Sequence, residues 1–252
     1  MPKQPRPEAV NVDESLMSVH DAIVHKLGKA IISGVYRPGT QLPPIEELIT
    51  GVEASRTSVR EAVRTLSALG LVESRARVGV LVQDPDNWRL LDPPVLWWYA
   101  ATVQGPKFAA MVQETRRIIE PHASALAAER ATGSDLAAIE GYLLTMRENI
   151  SSRAQFVEAD LGFHRAILKA SGNAMLSALS GTIEASLRYF FSHSMERAAE
   201  AVPLHENLLE RIRMRDPEGA SAAAHRLLDL ASGDQANFAI DSTTKVSKSA
   251  LS

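Results

Sequence analysis

Apolar residues recur every three or four positions along most of this chain, and that spacing predicts amphipathic helices. One helix is predicted over about residues 18–33, ending at Gly34, and a short one over about residues 44–49. The stretch 55–69 has the clearest apolar stripe, because its hydrophobic side chains fall on one side of a helix. That stripe consists of Val59, Ala62, Val63, Leu66 and Leu69.

The other side of the 55–69 helix carries an arginine at every fourth position: Arg56, Arg60 and Arg64. Ser55 is expected to cap this helix and Gly70 to end it. Guanidinium and hydroxyl groups suit guanine edges and phosphate oxygens, although a solvated bundle surface remains the alternative for this helix taken alone. The predicted DNA contacts on it are Ser55, Arg56, Thr57, Ser58 and Arg60.

After Gly70 the pattern changes to two short apolar runs, residues 71–73 and 80–82, which predict a pair of strands. The turn between them has the sequence SRARVG, and it supplies Arg77 and Gly79 as predicted wing contacts. Three helices followed by such a hairpin make a winged helix-turn-helix over residues 18–84. In that arrangement the second helix of the pair enters the major groove of DNA.

The segments around this predicted domain differ in composition. Residues 1–17 contain three prolines and little periodicity, so a flexible arm is predicted there, and the polar residues 239–252 are predicted to form a disordered tail. Residues 85–106 are a predicted linker. Its tryptophans are expected to pack between two domains rather than lie on a simple tether, because large aromatic surfaces are costly to leave in water. They are Trp88, Trp97 and Trp98.

Helical periodicity continues from residue 107 to residue 238, which predicts an effector-binding domain of six helices. The first of these helices contains Pro121, where a bend is expected, and Ser134 is the expected cap of the second. The predicted fold class is therefore mostly α, with an N-terminal winged helix-turn-helix and a C-terminal all-helical antiparallel bundle. The six helices are predicted over about 107–130, 134–150, 154–171, 173–195, 202–215 and 217–238.

Composition narrows the possible functions. The chain of 252 residues has no cysteine, so neither a disulfide framework nor a thiolate metal site is expected. It has no apolar run of about 18 residues and no signal-like N-terminus, which fits a cytoplasmic protein without a membrane partner. Its net charge of −3 confines any DNA contact to a local patch and disfavours a non-specific architectural DNA binder.

One carboxylate and three histidines in the bundle are candidate metal ligands. Asp160 and His164 are four residues apart on one predicted helix, so they face the same way. His205 and His225 each lie among apolar residues on two further helices. Side chains from three helices can converge on a divalent metal, but four ordinary structural residues are an equally good interpretation of the spacing alone.

Several longer segments resemble known families. GVYRPGTQLP, SRTSVREAVRTLSALGLVES and RARVGVLV resemble the DNA-binding domain of the GntR family of bacterial transcription regulators. ETRRIIEPHASALAAERAT, EADLGFHRAILKASGN, PLHENLLERI and AAAHRLL resemble the all-helical FCD-type effector domain of the FadR branch of that family. The segment WRLLDPPVLWW is similar to regulators of galactonate and related sugar acids.

This resemblance implies a site in the helical domain. In many members of the branch one Asp and three His bind a divalent transition metal (zinc, nickel or manganese here), and a small carboxylate effector completes the coordination. By resemblance the metal ligands are Asp160, His164, His205 and His225. Arg116 or Arg117 is expected to bind the effector carboxylate, with a salt bridge as the alternative for either residue. Asn173 is expected to be a helix cap first and an effector contact second.

The sequence thus predicts a ligand-responsive repressor that binds double-stranded operator DNA as a homodimer and responds to a sugar acid such as galactonate. The alternative is a metal-dependent enzyme with an attached DNA-binding module, since an ion with an open position can activate water. The sequence offers no obvious general base beside the candidate ligands, which favours the regulator.

Overall fold

The computed structural model describes residues 18–44, 47, 55–102, 105–181, 184 and 198–230, and of residues 105–107 and 109 only the backbone. The chain falls into two compact units, residues 1–109 and 110–252. The predicted arm, the predicted tail and most of the predicted helix at 44–49 lie outside the described residues. Within the described residues, no helix combines the length and the apolarity needed to cross a bilayer.

The first unit is built on two helices, α1 over Val19–Ile32 and α2 over Arg56–Ala68. Ser18 caps α1 by accepting a hydrogen bond from the backbone N–H of Asp21. Ser55 caps α2 in the same way and confirms the predicted start of that helix. The two helices pack against each other through their buried faces, and the predicted α2 stripe is buried except at Leu69, which is partly buried. The buried residues on them are Ile23, Val24, Leu27, Ile31, Ile32, Val59, Ala62, Val63 and Leu66.

The predicted wing is an antiparallel pair of strands, β1 over Val72–Arg75 and β2 over Gly79–Val82. The turn between them places Arg77 at a φ of 64°, a left-handed conformation that is uncommon for a residue with a Cβ. Gly79 has a φ of 109°, which suits glycine. The hairpin therefore presents its turn, with Arg77, at the tip of the wing.

The predicted linker contains a helix that periodicity did not predict, α3 over Pro93–Ala100. Its sequence, PPVLWWYA, is apolar on every side and so gives no helical stripe, but its two prolines occupy the first positions, where helices tolerate them. Trp98 is fully buried, and its indole N–H donates to His25 Nδ1 at 2.9 Å. A Cβ added to Gly28 of α1 would lie 2.6 Å from the Trp98 ring, so the glycine is what lets α3 approach so closely.

The second unit is helical in its described part. The helix α4, Gly105–Arg130, continues through Pro121. The helix α5, Gly133–Glu148, is capped by Thr132, whose side chain forms a reciprocal capping box with Asp135, so the prediction of Ser134 as the cap was wrong. The predicted helix from 173 is described as a short helix, and its extension toward 195 lies mostly outside the described residues. The bounds are α4 Gly105–Arg130, α5 Gly133–Glu148, α6 Arg153–Ala170, α7 Ala174–Ala178, α8 Ala198–Arg213 and α9 217–230.

The core of the second unit centres on α6, which is buried along most of its length against α5 and its neighbours. At Gly162 of α6 the backbone meets the ring of Tyr142 of α5, because an added Cβ would lie 2.2 Å from a Tyr142 ring carbon. Gly141 of α5 is exposed, and a Cβ there would meet open space. These two helical glycines therefore differ only in what surrounds them.

We expect Gly162→Ala to destabilise the second unit by roughly 1–3 kcal/mol, because the Tyr142 ring must shift. The matched control Gly141→Ala should stabilise the protein by about 0.5–1 kcal/mol, because alanine has the higher helix propensity. Chemical denaturation followed by circular dichroism measures both changes. Equal effects of the two substitutions would contradict the close approach of α5 and α6.

Candidate functional site

The outward face of α2 carries the arginines that the sequence places there. Arg56, Arg60 and Arg64 are all exposed, opposite the buried stripe. Arg64 is engaged in an ion pair with Glu61 at 2.7 Å on the same helix. In the described part of the chain no carboxylate pairs with Arg60, so its guanidinium is available to an external anion. The face is therefore suited to the phosphates and base edges of DNA.

The hydroxyl groups at the start of α2 serve the helix itself. Ser55 Oγ accepts from the backbone N–H of Ser58 at 3.1 Å, and the two hydroxyl groups lie 2.9 Å apart. Thr57 is exposed beside them. On the wing, Arg77 is exposed at the turn and Gly79 begins β2. DNA contacts by all of these residues stay predictions.

The second unit contains a group of buried polar side chains, which is unusual because buried charges are found only where partners compensate them. Three helices contribute to the group: α4, α6 and α8. Each member has less than one-tenth of its surface exposed. They are Arg116, Glu120, Asp160, His164 and His205.

His205 is oriented by a backbone carbonyl. Its Nδ1 lies 2.8 Å from the carbonyl oxygen of Ala201, one turn earlier on α8. Since a carbonyl only accepts, we assign the proton of the neutral ring to Nδ1, which leaves a lone pair on Nε2. That Nε2 lies 2.9 Å from Asp160 Oδ1, yet in this tautomer it is no donor, and it has no hydrogen-bond partner among the described residues.

His164 is oriented by a carboxylate instead. Its Nδ1 lies 2.9 Å from Glu120 Oε2, so the proton of the neutral ring again belongs on Nδ1. Its Nε2 then directs a lone pair toward Asp160 Oδ2, 3.7 Å away. The two Nε2 atoms and the Asp160 carboxylate are thus three groups whose lone pairs face one another.

Both carboxylates of this group are ionised at neutral pH. Burial by itself opposes ionisation of Glu120, but the Arg116 guanidinium and then His164 outweigh it and lower the pKa of Glu120 to about 2. Burial likewise opposes ionisation of Asp160, but positive charge at the two imidazoles and at Arg116 holds the pKa of Asp160 below its usual value. With the imidazoles neutral, a bound cation would supply that positive charge instead. Glu120 therefore acts only as an acceptor, as the tautomer assigned to His164 requires.

This donor set fits a divalent metal ion. Lone pairs that face one another in a buried space repel, and a cation between them removes that repulsion. One ligand atom from each of Asp160, His164 and His205 lies within 4.8 Å of the others, and the uncompensated Nε2 of His205 points at the same place. Oxygen and imidazole nitrogen ligands suit zinc, nickel and manganese. Three protein ligands leave further coordination positions for water or an effector.

The structure does not bring His225 to this group. On α9 the buried residues are Ala220, Ala223, Ala224, Leu227 and Leu228, whereas His225 lies on the exposed side of the same helix. The physical reason is helical phase, because neighbouring residues on a helix point about 100° apart. The described geometry therefore supports three of the four predicted ligands.

The structure also distinguishes the three residues that the sequence predicts as effector contacts. Arg116 is 2% exposed and donates to Glu120, and its Nη1 has no hydrogen-bond partner among the described residues. Arg117 points elsewhere and pairs with Asp229 of α9 at 2.6 Å, as the alternative interpretation of that residue has it. Asn173 caps α7 through its Oδ1, so its first expected role is confirmed. Only Arg116 therefore has an uncommitted buried donor.

Glu120 was not identified from the sequence. A single glutamate before Pro121 carries no metal-binding spacing, and its partner His164 lies 44 positions away. The only local signal is its position four residues after Arg116, which on a helix predicts an ion pair.

Comparison with known families divides the chain into the same two parts. A family model described as "Bacterial regulatory proteins, gntR family" matches residues 20–82, and one described as "FCD domain" matches residues 112–230. The galactonate operon transcriptional repressor of Escherichia coli (strain K12) is 36% identical over 208 residues, 81% of this chain and 91% of that protein. The uncharacterized HTH-type transcriptional regulator YieP of the same strain is 31% identical over 209 residues, covering 82% and 90%.

A solved structure shows the same fold. It is that of Lar, which controls the expression of the Listeria monocytogenes agr system. The match has a TM-score of 0.63 at 16% identity and covers 88% of this chain and 98% of that chain. At this identity the likeness establishes the architecture alone.

We expect Arg60→Ala to weaken binding to a specific duplex by roughly 1–3 kcal/mol if Arg60 contacts a base edge. The matched control Arg64→Ala should cost less, because Glu61 already engages that arginine. Fluorescence anisotropy at fixed salt, with specific and scrambled duplexes, measures both. An equal loss on the two duplexes would assign Arg60 to phosphate, and no loss would rule out this face as the DNA contact.

We expect His205→Ala to lower metal affinity at least tenfold and to abolish the stabilisation that metal gives the folded state. The matched control His225→Ala should leave metal content unchanged, because that side chain is exposed. Elemental analysis and thermal unfolding with and without metal provide the two measurements. A lower metal content in the His225 variant would restore that residue to the ligand set.

Proposed function

Because this chain belongs to the GntR family of bacterial transcription regulators and carries the FCD domain of its FadR-type members, we propose that it is a metal-dependent repressor released from its operator by a sugar acid. The chain is a DNA-binding transcription regulator and not an enzyme. The proposal concerns what the regulator senses, where it binds the effector and how the signal reaches DNA.

The buried group in the second unit carries this proposal, and its charge is the key observation. Arg116 supplies one positive charge, and Glu120 and Asp160 supply two negative charges, so with neutral histidines the group is left with one uncompensated negative charge. A divalent ion changes that excess to one positive charge, and a carboxylate then neutralises it. Since uncompensated charge is costly in a buried site, a mononegative acid is the ligand that the metal-loaded site favours.

The orphan donor of the group supports the same class of ligand. Arg116 Nη1 is buried without a partner, and a guanidinium N–H binds a carboxylate oxygen well. A 2-hydroxy acid can place its carboxylate and its adjacent hydroxyl on the open positions of an ion held by Asp160, His164 and His205. An aldonate has this chemistry, and the relative from Escherichia coli named as a galactonate operon repressor makes galactonate the first candidate.

The DNA-binding domains of two protomers are proposed to act as a pair. A homodimer presents two copies of α2 to the two half-sites of an operator, at a spacing set by the dimer. An effector shifts this arrangement only if it binds one conformation more tightly than the other, and the same coupling makes DNA weaken effector binding. Galactonate is therefore proposed to favour the arrangement that does not match the operator.

We expect galactonate to bind the metal-loaded protein and to release it from operator DNA. Isothermal titration calorimetry with metal-loaded protein should give a binding isotherm that chelator abolishes, and a gel shift should show release of the duplex. Galactose is the matched control ligand, since it lacks the carboxylate and should give no heat. A second control is the Arg117→Ala variant, which should bind galactonate like the wild type.

Three outcomes would contradict parts of this proposal. If a panel of sugar acids gives no heat with metal-loaded protein, the assignment of a sugar-acid effector fails. If galactonate binds equally well after the metal is removed, the ion does not take part in effector binding. If the protein takes up no divalent metal, the metal site itself is wrong.

A further inference from the structure

The two imidazoles of the buried group are oriented by acceptors of different kind. His205 donates from Nδ1 to the carbonyl oxygen of Ala201, which belongs to the same helix and is neutral. His164 donates from Nδ1 to the carboxylate of Glu120, which belongs to a different helix and is charged. The two rings therefore depend on different parts of the fold for the same tautomer.

Glu120 is itself tied to a third side chain. Arg116, one turn earlier on α4, donates to Glu120 Oε1 through its Nε, while Oε2 accepts from His164 at 2.9 Å. Both the Arg116 and Glu120 side chains are almost completely inaccessible to solvent, at 2% and 6% exposure. The carboxylate therefore has fixed positions for both oxygens and little access to water.

A carboxylate in this place changes the imidazole it touches. A ring whose Nδ1–H is bonded to a charged acceptor holds its orientation and gains basicity at Nε2. A neutral acceptor such as the Ala201 carbonyl fixes orientation with a smaller electrostatic effect. On this reasoning His164 is the ligand whose affinity for a metal depends on one replaceable side chain.

We propose that Glu120 is the positioning residue that holds His164 as a metal ligand through Nε2, and that Arg116 maintains the charge and the place of Glu120. This inference rests on the proposed metal site. It adds a residue that does not contact the ion. It also places Arg116, the residue proposed to bind the effector, in the same series of contacts, which runs from Arg116 through Glu120 and His164 to the ion.

The test uses zinc alone, without effector, on the full-length protein. Glu120→Gln keeps the shape of the side chain and removes its charge, so zinc affinity measured by calorimetry should fall about 10- to 100-fold. The matched control is Glu129→Gln, which removes a carboxylate from an exposed position on the same helix. Its zinc affinity should stay within about twofold of wild type, because it lies outside the buried group.

A second measurement separates positioning from general loss of structure. In zinc-loaded protein, the Nδ1–H proton of His164 should move upfield in imidazole ¹H–¹⁵N spectra of Glu120→Gln, since its hydrogen bond loses a charged acceptor. The corresponding signal of His205 should stay in place, because the Ala201 carbonyl is unchanged. A purely structural role for Glu120 would move both histidine signals or neither.

A third variant covers the case in which Glu120→Gln fails to fold with Arg116 left unpaired. The double variant Arg116→Met, Glu120→Gln removes both buried charges together, which proteins tolerate better than the loss of one. It should show the same loss of zinc affinity. Zinc affinity equal to wild type in a folded Glu120 variant would overturn the inference and leave the metal site intact, whereas absence of zinc binding by wild type would overturn both.

Discussion

The compensation of buried charge is the constraint on which the second unit depends. A helical bundle normally fills its interior with apolar side chains, and here it also encloses an arginine, two carboxylates and two histidines. Each has a partner from another turn or another helix, and the remaining imbalance is one negative charge and two facing imidazole lone pairs. That imbalance is the observation on which the proposed cation and the proposed acid effector rest.

Helix packing supplies the precision that this chemistry requires. The group lies on α4, α6 and α8, and Phe163 of α6 stands edge-on to both imidazoles, with ring centroids 4.8 Å from His205 and 5.8 Å from His164. Because Phe163 is fully buried, it forms an apolar wall beside the two imidazoles. Such surroundings exclude water and strengthen electrostatic interactions among the groups that remain.

In the first unit, packing keeps cationic side chains at the surface. The buried stripe of α2 fixes the helix against α1, and the arginines on the opposite face are held at the surface by that packing. Glu61 engages Arg64 and Glu73 engages Arg75, so acidic neighbours already hold part of the positive charge on this surface. In the described part of the chain, Arg60 and Arg77 have no such carboxylate partner. These two exposed arginines give a chain of negative net charge a local surface that is suited to DNA.

The sequence by itself determined the wing and most of the described helices, because apolar periodicity, capping residues and glycine positions act within a few residues of one another. It also placed Asp160 and His164 on one helical face and predicted the outward arginines of α2. Only the tertiary structure decided that Arg116 faces inward while Arg117 pairs with Asp229, that His225 faces outward, and that Glu120 meets His164. Spacing along a helix tells which residues share a face. Which face turns toward which neighbour depends on the packing of helices distant in sequence, and so does the tryptophan helix α3, whose uniformly apolar sequence has no face to predict.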